Sequence, residues 1–174
     1  MKTSAQWWAE VKASPEKFNQ WLVRQYTGEV TAADRIVALG ETYGATGRQA
    51  RVLEVIAGQE RQHAEWIKEL LVARGIDPTI EQAEKRYWAE AMTAIEDLDT
   101  GTAVAAHAEK MRLERIEVIA NDADAPLDVR ETFVKILRDE LFHERAFREM
   151  SSPEAMARTA DKHELGMRAL GLVA

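Results

Sequence analysis

The chain of 174 residues contains no cysteine. That absence excludes disulfides, thiolate nucleophiles, zinc–thiolate sites and cysteine-bound iron–sulfur clusters together, so any metal must be held by nitrogen and oxygen ligands. Also missing is any stretch approaching the roughly 18 apolar residues of a membrane-spanning helix, or the roughly 7–15-residue apolar core of a secretory leader near the N-terminus. A cytoplasmic protein that does not enter membranes is expected. Positive charge is in short supply, with 23 Lys and Arg against 30 Asp and Glu and a net charge of −7. No segment clusters those cations, which argues against a nucleic-acid partner. What is present, 46% hydrophobic and 30% charged residues, suits one globular domain over 1–174 with a full-sized core.

Helical periodicity runs through nearly every segment, and neither sustained alternation nor hairpin turn signals appear, so the chain reads as all-α. A short helix carries Trp7 and Trp8. Ser14-Pro15-Glu16 then supplies an N-cap, a proline at the first helical position and an early acid. The helix that starts there bears the stripe Phe18, Leu22, Tyr26, Ala33, Ile36 and Leu39, with Glu29 in line, and ends near Gly44. A second helix, from about Thr46 to Gly75, bears Leu53, Ile56, Glu60, His63, Ile67 and Leu71. Residues 79–98 read as a polar helical crossover, Ile80 to Leu98, ended by Asp99-Thr100-Gly101. A third helix spans about 103–121 and a fourth carries Val129, Phe133, Ile136, Glu140, His143 and Phe147. An amphipathic helix over about 153–172 is expected on the outside of a core bundle spanning about 16–150.

Two Glu-x-x-His motifs, Glu60 to His63 and Glu140 to His143, stand 80 residues apart, and each follows another glutamate, Glu29 or Glu109, by 31 positions. Residues three apart share a helix face, so a Glu and the His one turn on can bind one ion or two adjacent ions. The midpoints between Glu29 and Glu60 and between Glu109 and Glu140 fall on the expected turns. In an antiparallel pair, residues equidistant from the turn lie level, here about 23 Å from it at a rise of about 1.5 Å per residue. Two such hairpins packed face to face converge four carboxylates and two imidazoles at mid-height, the ligand set of di-iron and di-manganese helical bundles. On the third helix, Glu109 is preferred because it lines up with Ala105, Leu113, Ile116 and Ala120, whereas Glu114 aligns with the solvated set His107, Lys110 and Asn121. His107 and His163 have no counterpart under the 80-residue shift and receive no role. Burying four carboxylates on apolar stripes without cations would cost several kcal/mol each, which favours a metal site over incidental surface charge.

Residues 17–150 resemble the ferritin-like superfamily, nearest its rubrerythrin and demethoxyubiquinone hydroxylase branches. Tyr26-Thr-Gly-Glu29 is similar to the first-helix motif of both, Glu60-Arg-Gln-His63 to their second-helix ligand pair, and Glu140-Leu-Phe-His143 to the fourth. The resemblance implies an antiparallel four-helix bundle with a long crossover containing a helix, in which Glu29 and Glu109 are terminal or bridging ligands. It likewise implies that Glu60 and Glu140 bridge and that His63 and His143 give each metal one nitrogen. Two features depart from the family pattern. The chain has no cysteine-rich rubredoxin segment, so electrons must come from an external donor, and Arg112 stands where rubrerythrins tend to carry another carboxylate. The charged crossover, Ile80-Glu-Gln-Ala-Glu-Lys-Arg-Tyr-Trp, disfavours the lipid-soluble quinone substrates of the hydroxylase branch.

Carboxylate and imidazole ligands suit iron or manganese. The leading expectation is therefore a di-iron, or mixed iron–manganese, oxidoreductase that activates dioxygen or peroxide, with a homodimer allowed. The alternatives are a ferroxidase or iron-handling protein, a small-molecule hydroxylase and, last, a metal-free interaction module presenting Trp7, Trp8, Trp66 and Trp88. Tyr26 and Trp21 read as core aromatics, although either could carry electrons.

Overall fold

The computed structural model describes residues 3–81 and 85–172, and all regular structure among them is helical. In chain order these are α1 (Ser4–Lys12), α2 (Pro15–Thr42), α3 (Gly47–Val72), α4 (Arg86–Ala91), α5 (Leu98–Ala120), α6 (Leu127–Glu149) and α7 (Pro153–Ala169). The local signals act where the sequence places them. Ser14 caps α2 by accepting from the Lys17 amide, with Pro15 at the first turn, and Ser152 with Pro153 does the same for α7 through the Ala155 amide. Gly44 takes a φ of 66° between α2 and α3, where a left-handed turn must reverse the chain.

The α2–α3 and α5–α6 hairpins each pack closely, and α3 against α6 and α2 against α5 join them into the antiparallel four-helix bundle. Two apolar clusters fill it. One, at the end near α1, gathers Trp8, Trp21, Leu22, Ile67, Phe133 and Ile136, and the other holds Ile36, Leu53, Ile56, Ala106 and Phe147. Each fully buried side chain of this kind contributes about 1.5–3 kcal/mol. Every long helix passes from one cluster to the other, and Glu29, Glu60, His63, Glu109, Glu140 and His143 lie between them in sequence on their four helices. The bundle thus carries a polar layer sealed by apolar packing on both sides.

The outer helices lock onto this frame. Trp8 donates its indole N–H to Asp122 at 2.6 Å, tying α1 to the turn between α5 and α6, and Lys12 pairs with the same carboxylate. Helix α7 covers α4 and α5. There Tyr87, 1% exposed, meets His163 Nδ1 at 2.8 Å, and His163 stacks on His107 at 4.8 Å between ring centroids. Both histidines without a motif therefore serve the outer layer. Burial and the nearby charges of His107 and Lys110 hold His163 down at about 4, so it packs there as a neutral ring.

The crossover departs from the expected Ile80–Leu98 helix. Residues 76–81 are not helical, and only α4 and the short 3-10 turn Met92–Ala94 are helical before α5 begins; part of the expected helix, 82–84, lies outside the described residues. Asp99-Thr100-Gly101, read as a terminator, forms the first turn of α5. The Asp97 carboxylate accepts from the Thr100 amide at 2.8 Å and its hydroxyl at 2.7 Å, while Thr100 Oγ1 accepts from the Asp97 amide: a capping box. Gly101 is there for closeness rather than for a break, since a Cβ would sit 2.2 Å from Leu39 Cδ1. Among the described residues no helix is long and apolar enough to cross a membrane.

The tryptophans do not form an exposed binding face. Trp8 is 2% exposed, and Trp7, Trp66 and Trp88 are partly buried with their ring faces covered by Arg115, Lys135 and Arg35.

Candidate metal centre

All six expected residues meet inside the bundle. Glu29, Glu60, His63, Glu109, Glu140 and His143 are each 6% exposed or less, and four of them are fully buried. They form two overlapping groups that could hold a metal ion. Glu29, Glu60, His63 and Glu140 make one, and Glu60, Glu109, Glu140 and His143 the other, with the ligand atoms of each group all within 4.8 Å of one another. Glu60 and Glu140 belong to both. Each group takes three residues from one hairpin and one from the other. Glu114, on the same helix as Glu109, is exposed.

The atoms turned toward one another have nothing to bond. Glu29 Oε2, both oxygens of Glu60 and of Glu140, Glu109 Oε2 and the Nδ1 atoms of His63 and His143 are buried without a hydrogen-bond partner. His143 Nδ1 lies 3.3 Å from a carboxylate oxygen of Glu60 and 3.3 Å from one of Glu140. His63 Nδ1 lies 3.5 Å from Glu29 and 3.7 Å from Glu140. Orphaned buried acceptors are costly, and a cluster this rich in them fits divalent cations.

The far side of each ring explains why both Nδ1 atoms face inward. His63 Nε2 lies 3.3 Å from an Asp139 oxygen, and His143 Nε2 lies 3.1 Å from Gln59 Oε1. Because a carboxylate only accepts, His63 donates through Nε2 and keeps the Nδ1 lone pair free; Gln59 Oε1 fixes His143 the same way. Sequence reasoning passed over these two partners. Yet each immediately precedes the glutamate of a Glu-x-x-His motif, and they too are related by the 80-residue shift. Their supports cross over, the residue on α3 steadying the ring on α6 and the reverse.

Outer partners of this kind typically contribute about 10–100-fold to metal affinity. Asp139→Ala and Gln59→Ala are each expected to weaken binding by about that range, Asp139 more because it carries charge. Competition against a chromophoric chelator would measure both. Unchanged affinity in the two variants would remove the orienting role.

Arg112 enters the same cluster. Its guanidinium lies 2.8 Å from Glu29, 3.1 Å from Glu140, 3.6 Å from Glu109 and 3.8 Å from Glu60, with about a quarter of the side chain (26%) exposed. The four acids consequently divide. Burial pushes Glu29 upward, but Arg112 and then His63 outweigh it and hold its carboxyl at about 2; Glu140 is lowered in the same way by Arg112 and His143. Glu60 and Glu109 are raised well above the usual range, by burial first and then by the negative charge of Glu140. His143 is raised against its burial because Glu140 is beside it.

Trp66 stacks on His63 at 5.6 Å, giving that ring a second restraint. Tyr26 is partly buried against the apolar cluster near α1, and Trp21 lies within that cluster beside Trp8 and Phe133. Beside Glu29, Gly28 leaves open space: a Cβ built there meets no heavy atom within 4 Å.

Comparison with curated proteins and with solved structures gave no match. Comparison with family models matched the model described as Rubrerythrin over residues 20–151, from within α2 to just past α6, the span that contains all six residues and both outer partners. With its helical bundle and its layer of buried carboxylates and imidazoles, the chain belongs to the rubrerythrin family.

Proposed function

We propose that the protein is a di-iron, or iron–manganese, oxidoreductase that activates dioxygen or peroxide, with Glu29, Glu60, His63, Glu109, Glu140 and His143 as the metal ligands. The observation that carries this reading is the set of buried, unpartnered oxygen and Nδ1 atoms facing one another in two groups that share Glu60 and Glu140. Two adjacent ions, when bound, supply the electrons that reduce dioxygen or peroxide. The protein's own residues do the rest. Glu60 and Glu140 reach both positions, Glu29 and Glu109 complete one each, and Asp139 and Gln59 keep the two imidazoles aimed inward. The apolar clusters above and below exclude water from the layer.

A small oxidant suits this layer better than a bulky organic substrate. The six residues are themselves at most 6% exposed, and two surface clefts among the described residues, one beside Lys12, Phe18 and Pro126 and one along Gly40, Leu53 and Arg61, are lined by none of them. These 174 residues hold no cysteine, so electrons are proposed to reach the layer from a donor outside them, and a cytoplasmic location is part of the same proposal.

The test is anaerobic loading with Fe(II) followed by dioxygen or peroxide, with metal analysis and near-ultraviolet absorption as readouts. Two iron ions per chain at saturation and rapid oxidation with consumption of the oxidant are expected. Fewer than two ions, or a loaded protein inert to both oxidants, would overturn the proposal. Continued uptake of iron far beyond two ions would point to iron handling instead.

A further inference from the structure

We infer that Arg112 is a built-in competitor of the second metal ion: its guanidinium occupies the carboxylates of the His63 side, so that the two positions load unequally, the His143 position first. This inference rests on the six-ligand reading above and adds a residue to it that no ligand motif contains.

Charge is the first argument. Four ionised carboxylates balance two divalent ions, and the guanidinium adds a positive charge that the second ion must overcome. One such ion beside Arg112 leaves the four acids in excess; a second takes the four acids and the guanidinium together to a net positive charge, which only Asp139, behind the His63 ring, offsets. At distances near 4 Å and the screening of a protein interior, a single extra charge changes an affinity by about tenfold or more.

Position is the second. Nη2 of Arg112 makes the short contacts, 2.8 Å to Glu29 Oε1 and 3.1 Å to Glu140 Oε1. Glu140 is shared by both groups, whereas Glu29, which takes the shortest contact, belongs only to the group that includes His63. Nη1 stands farther away, 3.6 Å from Glu109 Oε2, the acid unique to the His143 group, and 3.8 Å from Oε1 of the shared Glu60. The His63 side is therefore the one obstructed. Asp139 works the other way, since its charge strengthens His63 as a donor. It acts through a ring, however, whereas Arg112 touches the carboxylates directly, so Arg112 dominates the order.

The third argument is access. About a quarter (26%) of the Arg112 side chain is exposed, while its partner acids are buried to 8% exposure or less. A side chain so placed can withdraw its head group toward solvent as an ion arrives, which a fully enclosed one could not.

Titration with Co(II), a spectroscopic stand-in for iron, followed optically and by calorimetry, tests the inference on the full chain. The natural protein should bind two ions with affinities at least about tenfold apart. Arg112→Leu should bind the second ion at least tenfold more tightly and close that gap, while Arg112→Lys, which keeps the charge but not the fork, should fall between. His63→Ala should keep the tight ion, and His143→Ala should lose it. A merely structural Arg112 would lower the melting temperature of the metal-free variant without moving either affinity, and that result would overturn the inference. Should Arg112→Leu fail to fold without metal, Arg112→Gln carries the same comparison. Two ions bound equally by natural protein and variants would overturn the inference alone; no ion bound by the natural protein would overturn the metal reading itself.

Discussion

Glu60→Gln and Glu140→Gln are each expected to weaken binding severely at both metal positions, whereas Glu29→Gln or Glu109→Gln should cost chiefly one. The reason is membership, because Glu60 and Glu140 belong to both groups of converging atoms and the other two acids to one each. Loss of a shared carboxylate should weaken binding at both positions by more than the 10–100-fold typical of an outer partner, so at least about 100-fold. The two variants should nevertheless differ in stability once metal is withheld. Glu60 is raised well above the usual carboxylate range, by burial and by neighbouring acids, so folding must hold a proton on it, a cost that a neutral amide removes. Glu140 is lowered, with Arg112 at 3.1 Å, and its amide would leave that guanidinium short of a partner. Glu60→Gln should therefore melt higher than the natural protein in chelator, and Glu140→Gln lower. Equal metal affinity in all four variants, read by calorimetry, would remove the shared role of Glu60 and Glu140.

The second large effect is that of the metal on stability, and it should grow with pH. At ion concentrations about 1,000-fold above the dissociation constant, each bound ion stabilises by about 4 kcal/mol. For a chain of this size about 1 kcal/mol moves the melting temperature by roughly 2–4 °C, so two ions should raise it by about 15–30 °C. Without metal, Glu29 and Glu140 have lowered folded-state values. Their contribution is present above the unfolded value of about 4.5 and is lost as pH falls toward about 2, where Glu29 takes up its proton. Glu60 and Glu109 are raised, so theirs is complete below about 4.5 and is lost as pH rises through their folded-state values. Melting in chelator should accordingly be highest in mildly acidic buffer and fall toward neutrality. With metal, the protons of Glu60 and Glu109 are displaced and the gain widens as pH rises. A metal-induced shift that is independent of pH would contradict this account of the acids.

The four long helices were legible because their signals are local. Ser14-Pro15 and Pro153 start helices wherever the remainder of the fold places them, and the stripes through Leu22, Ile56, Ile67 and Phe133 report a buried face directly. The six polar residues could be found because they interrupt those stripes at matching distances from two turns. The crossover was misread for the same reason in reverse. Asp97 and Thr100 begin α5, and Gly101 answers to Leu39 on another helix, a contact that spacing along one helix does not record. Gln59 and Asp139 were visible as the residues ahead of each motif, but their partners lie on the opposite hairpin. Arg112 stood out as a departure from the family pattern, while its reach to four acids appears only in three dimensions.

The three-plus-one division of each group has a consequence for the order of synthesis. A nascent chain that has emerged through α3 already holds Glu29, Glu60 and His63, yet it lacks Glu140, which closes that group, and Asp139, which turns His63. On the proposed ligand set, neither position is complete until translation has passed residue 140 and the second hairpin has docked on the first. Under that proposal loading would be a late event in the life of the molecule, and a truncated chain would offer only an open, solvent-filled half-site.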